Sequence, residues 1–231
     1  MSGWLGDTLA LYGRVFRQAA ERAAANWPLA ALAVGYPMLL ALLARVLGPY
    51  GILGGFVVTA AAAACFSSWL HFMEQVVRRG RSNLSDLGES FGTYLADLLN
   101  VGFLLFLLQL LANVLLAPFP LLVIVFFLAT LVFLNAVPEL VYLGRNAAPQ
   151  LLAESYRFIG QNWIEWFPAN FVFAALIVLV DRLLPDGPFG VISAVGAGLV
   201  ATYVSIARGL LFLELTTSSR RAREFRRRAG G

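Results

Sequence analysis

The sequence predicts an all-α integral membrane protein with six transmembrane helices, arranged as three hairpins that are each preceded by an amphipathic interfacial helix. Its composition, its long apolar segments and its placement of Arg together predict this class. The chain is 60% hydrophobic and 13% charged, whereas soluble domains are roughly 45 to 50% apolar and about 25% charged. The surplus apolar surface must therefore face lipid or a partner, and lipid is the simpler explanation.

Six apolar segments have the length of a transmembrane helix, which needs about 20 residues to cross ~30 Å of hydrocarbon. They are residues 28–47, 51–74, 99–117, 119–138, 167–184 and 188–213. Three connections are short and rich in Pro and Gly, which end helices and favour turns: Gly48-Pro49-Tyr50, Pro118-Phe119-Pro120 and Leu184-Pro185-Asp186-Gly187-Pro188. The helices therefore pair as three tight hairpins. Because the segment before the first apolar run is charged, we expect no cleaved signal peptide.

The distribution of Arg predicts the orientation of the hairpins. All 17 basic residues are Arg, and only Arg45 and Arg182 lie near the tight turns. Most of the others lie before, between or after the hairpins, and Arg is retained on the cytoplasmic side of a membrane. The sequence thus predicts a bacterial inner-membrane protein with both termini in the cytoplasm.

The segment before each hairpin is amphipathic, which suggests a threefold internal repeat. The repeat units are residues 4–74, 84–138 and 150–213 of a single membrane domain, and a basic cytoplasmic tail follows at 214–231. Apolar side chains recur at helical spacing in the three segments, as in Leu9-Tyr12-Phe16, Leu87-Phe91-Leu95 and Tyr156-Ile159-Trp163. Either the chain arose by duplication, with pseudo-threefold symmetry about the membrane normal, or any cytoplasmic segment before a membrane helix has this pattern.

Two of the units enter the membrane through similar Trp-Pro junctions, Asn26-Trp27-Pro28 and Trp166-Phe167-Pro168. With these junctions, the six-helix layout resembles the bacterial membrane families typified by the membrane region of glycerophosphodiester phosphodiesterases and by the YciC-like proteins. The resemblance covers most of the chain. It implies an all-α membrane bundle, and it implies no particular activity and no catalytic residue.

Polar side chains within the apolar segments are the main candidates for function, because hydrocarbon makes them costly unless they pair. Gln109, Asn113 and Asn135 would either line a substrate path or form hydrogen bonds between helices, and the second is favoured. Ser67, Ser68, His71 and Glu74 cluster in the second segment, where His71 and Glu74 are close enough to interact. A carboxylate beside an imidazole could relay protons or bind a metal, but one His and one carboxylate lack the ligands of a zinc site.

Charged and small residues add two further sets of candidates. Arg208 and Glu139 either pair with each other or extend separately to the headgroups. Small residues at intervals of four indicate close helix packing, within the chain or between protomers: Gly51 and Gly55 in the second segment, Gly190 and Gly198 in the sixth.

Most enzymatic patterns are absent from the sequence. It contains no HExxH and no phosphate-binding Gly-Lys-Ser loop. With one His and one Cys, Cys65, most nucleophile and metal mechanisms lack their parts. We therefore expect no enzymatic activity, no cofactor, and no catalytic or metal-binding residue.

The sequence favours a non-enzymatic membrane scaffold or accessory protein that acts through its cytoplasmic interfacial helices and basic tail. The tail would bind anionic lipid headgroups through Arg220, Arg221, Arg223, Arg226, Arg227 and Arg228. The expected partners are the lipid bilayer, a cytoplasmic protein or a second copy of the chain, and not nucleic acid. The alternative is a small oligomeric transporter or channel.

Overall fold

A computed structural model of the protein describes residues 2–144, 148–183 and 190–217. Within these ranges the chain forms nine α-helices: α1 (Ser2–Ala25), α2 (Leu29–Leu47), α3 (Gly51–Arg79), α4 (Leu87–Thr93), α5 (Leu95–Leu115), α6 (Pro120–Phe133), α7 (Val137–Leu143), α8 (Ala148–Leu183) and α9 (Gly190–Thr217). Short 3₁₀ helices precede α3 and α4, at Gly48–Tyr50 and Leu84–Asp86. The described part of the chain contains no strand, which confirms the all-α prediction.

Five helical runs are long and apolar enough to cross a membrane, by length and composition: Leu29–Arg79, Leu95–Leu115, Pro120–Leu143, Pro149–Val180 and Ser193–Thr217. These runs support a membrane-embedded protein. The first contains α2, the 3₁₀ turn and α3. Within it α2 and α3 lie side by side, since the Tyr36 hydroxyl is 2.6 Å from Ser68 Oγ across the pair.

Two glycines shape the turn between α2 and α3. Gly51 begins α3 with a φ of 60°, a conformation that glycine adopts at little cost. A Cβ on Gly54 would collide with the backbone carbonyl of Leu47. The helices therefore approach most closely just after the turn, where the chain has no room for a side chain.

Buried side chains concentrate at one end of the bundle, which we name the packed end. There α1, the start of α2, the end of α3, α7, the first half of α8 and the end of α9 meet. By contrast, none of the residues of α6, all of which the structure describes, is buried. Large apolar side chains away from the packed end are exposed, as Ile52 (86%) and Phe56 (76%) are. Such a surface is expected where lipid covers the protein.

Helix α1 packs its apolar face against the other helices of the bundle. Its buried residues are Leu11, Val15 and Ala19, and it packs along α9. The Tyr12 hydroxyl donates a hydrogen bond to the carbonyl oxygen of Glu165 at 2.6 Å. Burial, together with the charge of Glu165, raises the pKa of Tyr12 to about 12, so this phenol stays a donor. The opposite face of α1 is exposed and carries Arg14, Arg17, Gln18 and Glu21.

The last turn of α3 is capped by side chains from the α1–α2 junction. Arg22 Nη1 donates to the carbonyl oxygens of Val76 and Val77, at 2.8 and 2.6 Å. Asn26 Nδ2 donates to the carbonyl oxygen of Gly80 at 2.9 Å. Because the last carbonyls of a helix have no partner within it, these bonds tie α1 to the end of α3.

Helix α8 differs from the prediction in two respects. It runs unbroken from Ala148 to Leu183 through Pro168, although the sequence predicts a separate interfacial helix before a transmembrane one. Its exposed face includes Tyr156 and Trp163, and its buried face includes Ser155 and Glu165. Of the predicted apolar residues, Ile159 is buried, whereas Tyr156 and Trp163 are exposed, so the stripe is only partly turned toward the bundle.

The glycines near the α2–α3 turn allow a matched test of close packing. We expect Gly54→Ala to lower the free energy of unfolding by about 1 to 3 kcal/mol, because the new methyl group displaces the Leu47 backbone. Gly55→Ala on the same helix should be tolerated, since Gly55 faces open space. Reversible unfolding in mixed micelles measures both, and equal effects would argue against the close approach at Gly54.

Candidate functional site

An ion pair between Arg208 of α9 and Glu139 of α7 lies inside the packed end. Arg208 Nε is 2.7 Å from Glu139 Oε1, and Arg208 Nη2 is 3.0 Å from Oε2. The side chains are 20% and 4% exposed. Of the two alternatives that the sequence leaves open, the structure has the paired one. This two-pronged geometry is the strongest form of an Arg–carboxylate contact.

Three more residues complete an arginine network around this pair. Arg208 Nη1 donates to Asn170 Oδ1 at 2.5 Å, and Nη2 donates to the backbone carbonyl of Asn135 at 2.8 Å. The guanidinium also lies 5.1 Å from the ring centroid of Trp166, and Trp166 Nε1 donates to Asn135 Oδ1 at 2.9 Å. The network therefore joins α7, α8, α9 and the segment between α6 and α7.

The carbonyl of Asn135 is available because the chain leaves the helical path between α6 and α7. Helix α6 ends at Phe133 and α7 begins at Val137, and the Val137 N–H donates to Leu134 instead of Phe133. Two side chains take the freed carbonyls: Arg208 binds that of Asn135, and Ser155 Oγ donates to that of Phe133 at 2.8 Å. Irregular backbone in a membrane persists only where the protein satisfies it in this way.

The hydrogen-bonding capacity of Arg208 is nearly used up by this arrangement. A guanidinium has five N–H donors, and the contacts to Glu139, Asn170 and Asn135 occupy four of them. Trp166 is fully buried beneath it. The arginine network consequently holds helices together and offers little to a ligand.

A second polar cluster joins α3 to α4 through hydroxyl groups. Ser68 Oγ is 2.6 Å from Ser90 Oγ and 2.6 Å from the Tyr36 hydroxyl. Ser67 Oγ donates to the carbonyl of Ser90 and accepts from the Tyr94 N–H at 2.8 Å. Ser67, Ser68 and Ser90 are fully buried, so this serine cluster fixes α4 against the bundle.

His71 and Glu74 have separate partners. His71 is hydrogen-bonded to Gln75 Nε2 at 2.9 Å and to Thr93 Oγ1 at 3.2 Å. Glu74 accepts from Arg78 Nε at 3.0 Å and from the Tyr94 hydroxyl at 2.5 Å. Burial, reinforced by Glu74, raises the pKa of Tyr94, which keeps it a donor. Among the described residues, no three His, Cys, Asp or Glu side chains are grouped as metal ligands.

The amides that could have lined a path do not converge. Asn135 belongs to the arginine network, while Gln109 and Asn113 lie on the exposed surface of α5. The structure has a cavity of about 290 Å³ between α2, α3 and α9. Its lining is mainly apolar and includes Tyr36, Pro37, Cys65 and Ser205.

The small-residue candidates occupy different environments. A Cβ on Gly198 would lie 2.5 Å from the carbonyl oxygen of Ala30 and 2.9 Å from Val34 Cγ2, so α9 and α2 touch there. Gly51 and Gly55 face open space, and the tight position is Gly54. Gly190 begins α9, and its surroundings lie outside the described residues.

Several predictions concern segments outside the described residues. These are the turn Leu184-Pro185-Asp186-Gly187-Pro188 and the cationic side chains of the tail, Arg220, Arg221, Arg223, Arg226, Arg227 and Arg228. They stay predictions.

Sequence reasoning missed Asn170, the role of Trp166, and Ser90, which is the central residue of a GxSxG pattern at Gly88–Gly92 and is fully buried. Asn170 lies one turn after Trp166, and its Nδ2 donates to the Trp166 carbonyl at 2.8 Å. An Asn within the apolar run after Pro168 was the available signal, since a buried amide requires partners. Ser67 and Ser68 adjoin His71 in the sequence, but nothing there reveals Ser90 as their partner.

Comparison with known proteins gives no match to a family model, to a curated protein or to a solved structure. The resemblance to the YciC-like families stays a prediction. The fold and its polar networks therefore define the class on their own: an all-helical protein with membrane-length apolar helices and a hydrogen-bonded polar interior at one end.

A double-mutant cycle tests the arginine network. We expect Arg208→Met alone to lower the free energy of unfolding by about 3 to 5 kcal/mol, because it leaves Glu139 buried without its cation. Arg208→Met combined with Glu139→Leu should lose less than the sum of the single losses. The exposed pair Arg17–Glu21, 3.5 Å apart, is the control, and Arg17→Met should change stability by less than about 1 kcal/mol. Additive losses at residues 208 and 139 would contradict the coupling.

Proposed function

We propose that the protein is a six-span bacterial inner-membrane scaffold that presents its packed end and basic tail to the cytoplasm. One observation carries the proposal: the buried polar side chains close into networks that hold helices together, and of the candidate path residues, Asn135 lies apart from Gln109 and Asn113. Such an interior favours a rigid platform over a solute path and over an enzyme.

The number of spans follows from the length of the first apolar run. Leu29–Arg79 has 51 residues, which at a rise of about 1.5 Å per residue would extend about 77 Å as one helix. A bilayer core is only ~30 Å thick. With α2 and α3 side by side, this run accounts for two spans, and the remaining four runs bring the total to six. We also propose the threefold repeat, in which α1, α4 and the first half of α8 begin the units.

The orientation rests on the Arg residues that cluster at the packed end. Arg14 and Arg17 lie on the outer face of α1, and Arg78 and Arg79 end α3. The basic tail follows α9 from the same end. By the retention of Arg on the cytoplasmic side, the packed end and both termini are cytoplasmic.

The proposed partners are anionic lipid headgroups for the tail and a cytoplasmic protein for the exposed face of α1. That face presents charges of both signs, with Arg17 and Glu21 paired at 3.5 Å. The docked apolar face of α1 holds it in place against α9. A partner would therefore bind a preformed surface, and no helix would have to fold on binding.

The alternative function, a small oligomeric transporter, has one observation in its favour. Broken helices are typical of transporters, where the freed backbone binds substrate or ions, and the chain has such a break between α6 and α7. Here Arg208 and Ser155 already bind the carbonyls of Asn135 and Phe133. The break therefore supports the scaffold more than the transporter.

Lipid attraction by the tail tests the scaffold directly. The full chain, with Cys65→Ala and a dye on Gly230→Cys, is reconstituted in nanodiscs that carry a headgroup-attached quencher. At about 1 kcal/mol per basic residue near an anionic surface, we expect stronger quenching with phosphatidylglycerol than with phosphatidylcholine alone. Salt should weaken it.

Replacement of the six tail Arg by Gln should abolish the lipid dependence, and replacement by Lys should keep it, because the attraction depends on charge. Quenching that ignores lipid charge and salt would remove lipid from the proposal. In proteoliposomes, solute flux that is lost on replacing Gln109 and Asn113 with Leu would overturn the scaffold in favour of the transporter.

A further inference from the structure

The exposed surface of α5 carries a stripe of four residues at spacings of four, three and four: Gly102, Phe106, Gln109 and Asn113. We name it the amide stripe. All four are exposed, whereas α5 turns Val101 and Ala112 toward the bundle. Since each helical residue advances about 100°, the amide stripe follows one line along the helix, beside the buried face.

Two primary amides on this surface are out of place in lipid. Leu95–Leu115 is one of the membrane-length runs, with a mean hydropathy of 2.2. Within residues 2–144, 148–183 and 190–217, the side chains of Gln109 and Asn113 make no hydrogen bond. At Gln109, six residues from the end of the run, hydrocarbon offers neither donor nor acceptor, and an unsatisfied amide there is costly. Asn113, two residues from the end, lies nearer the headgroups. This surface therefore lacks hydrogen-bond partners for its amides if only lipid covers it.

A second copy of the chain supplies what the amides lack. A primary amide both donates and accepts hydrogen bonds, so Gln109 can pair with Gln109 of a twofold-related copy, and Asn113 with Asn113. Copies inserted with the same topology place their α5 helices parallel, which brings identical residues to the same depth. Alternating spacings of four and three residues are typical of the contact line between two helices of a coiled coil, where a polar residue fixes the register of one helix against the other.

The rest of the amide stripe suits a close pair of helices. A Cβ on Gly102 would meet no atom within 4 Å, so a partner backbone can approach there. Phe106 is 58% exposed and offers a large apolar contact. We propose that two copies of the chain form a parallel, twofold-symmetric dimer in the membrane through the amide stripe of α5. The proposal of this dimer does not rest on the proposed scaffold function.

Disulfide crosslinking tests whether the amide stripe is the contact between the two copies, and it leaves Gln109 and Asn113 unchanged. In a Cys65→Ala background, Phe106→Cys lies on the amide stripe, and Leu111→Cys lies about 140° away around the helix. The two positions match in exposure, at 58% and 55%. In native-like membranes under mild oxidation, we expect Phe106→Cys to form a crosslinked dimer and Leu111→Cys to stay uncrosslinked. Equal crosslinking, or crosslinking of Leu111→Cys alone, would overturn the proposal.

Removal of the amides tests their role. We expect Gln109→Leu with Asn113→Leu to weaken dimerisation about tenfold, on the basis of ~0.6 to 2 kcal/mol for each hydrogen bond between membrane helices. Energy transfer between labelled copies, diluted with lipid, measures this. Thermal stability of the detergent-solubilised monomer should not fall, because neither amide bonds within the described protomer. Unchanged dimerisation, or a monomer at every protein-to-lipid ratio, would overturn the proposal.

Discussion

The structure depends on one constraint: inside a bilayer, the protein itself must pair each backbone carbonyl that a helix leaves free. Between α6 and α7 the helix breaks, and Arg208 and Ser155 bind the freed carbonyls. Near Pro168, the Tyr12 hydroxyl and Asn170 Nδ2 bind the carbonyls of Glu165 and Trp166. Between α6 and α7 the donors come from α8 and α9, so this irregular point is also where helices are joined.

The energetics of the packed end follow from this constraint. Burial of Arg208 and Glu139 carries a desolvation cost that their attraction offsets only when nearly all donors are satisfied. Four donors of Arg208 are satisfied, and the Trp166 ring covers the guanidinium. The buried side chains gather around this pair. Helices α5 and α6 lie outside it, and most of their large apolar side chains are exposed.

Much of this arrangement could be predicted from the sequence, for physical reasons. Arg208 and Glu139 stand out because charges in apolar runs are costly, and Gly198 stands out because it recurs with other small residues. Other features could not be predicted. Which residues of α8 face the bundle could not be predicted, since Tyr156 and Trp163 are exposed although they are apolar, so hydrophobicity alone does not mark the inside. His71 and Glu74 each have one partner four residues further along α3, Gln75 and Arg78, which the spacing indicates. Their other partners, Thr93 and Tyr94, lie at the end of α4, and no spacing along α3 reveals them.

The central claim is that Arg208, largely buried and with four of its five N–H donors bonded, joins the helices of the packed end. Solid-state NMR of ¹⁵N-arginine-labelled protein in bilayers tests this claim most directly. The Nε–H resonance of Arg208 is assigned by its absence in Arg208→Met. We expect this resonance to stay protected after transfer to D₂O and to show a through-space correlation to the Glu139 carboxyl carbon, because Nε lies 2.7 Å from Oε1. Immediate exchange, with no correlation to Glu139, would contradict the account.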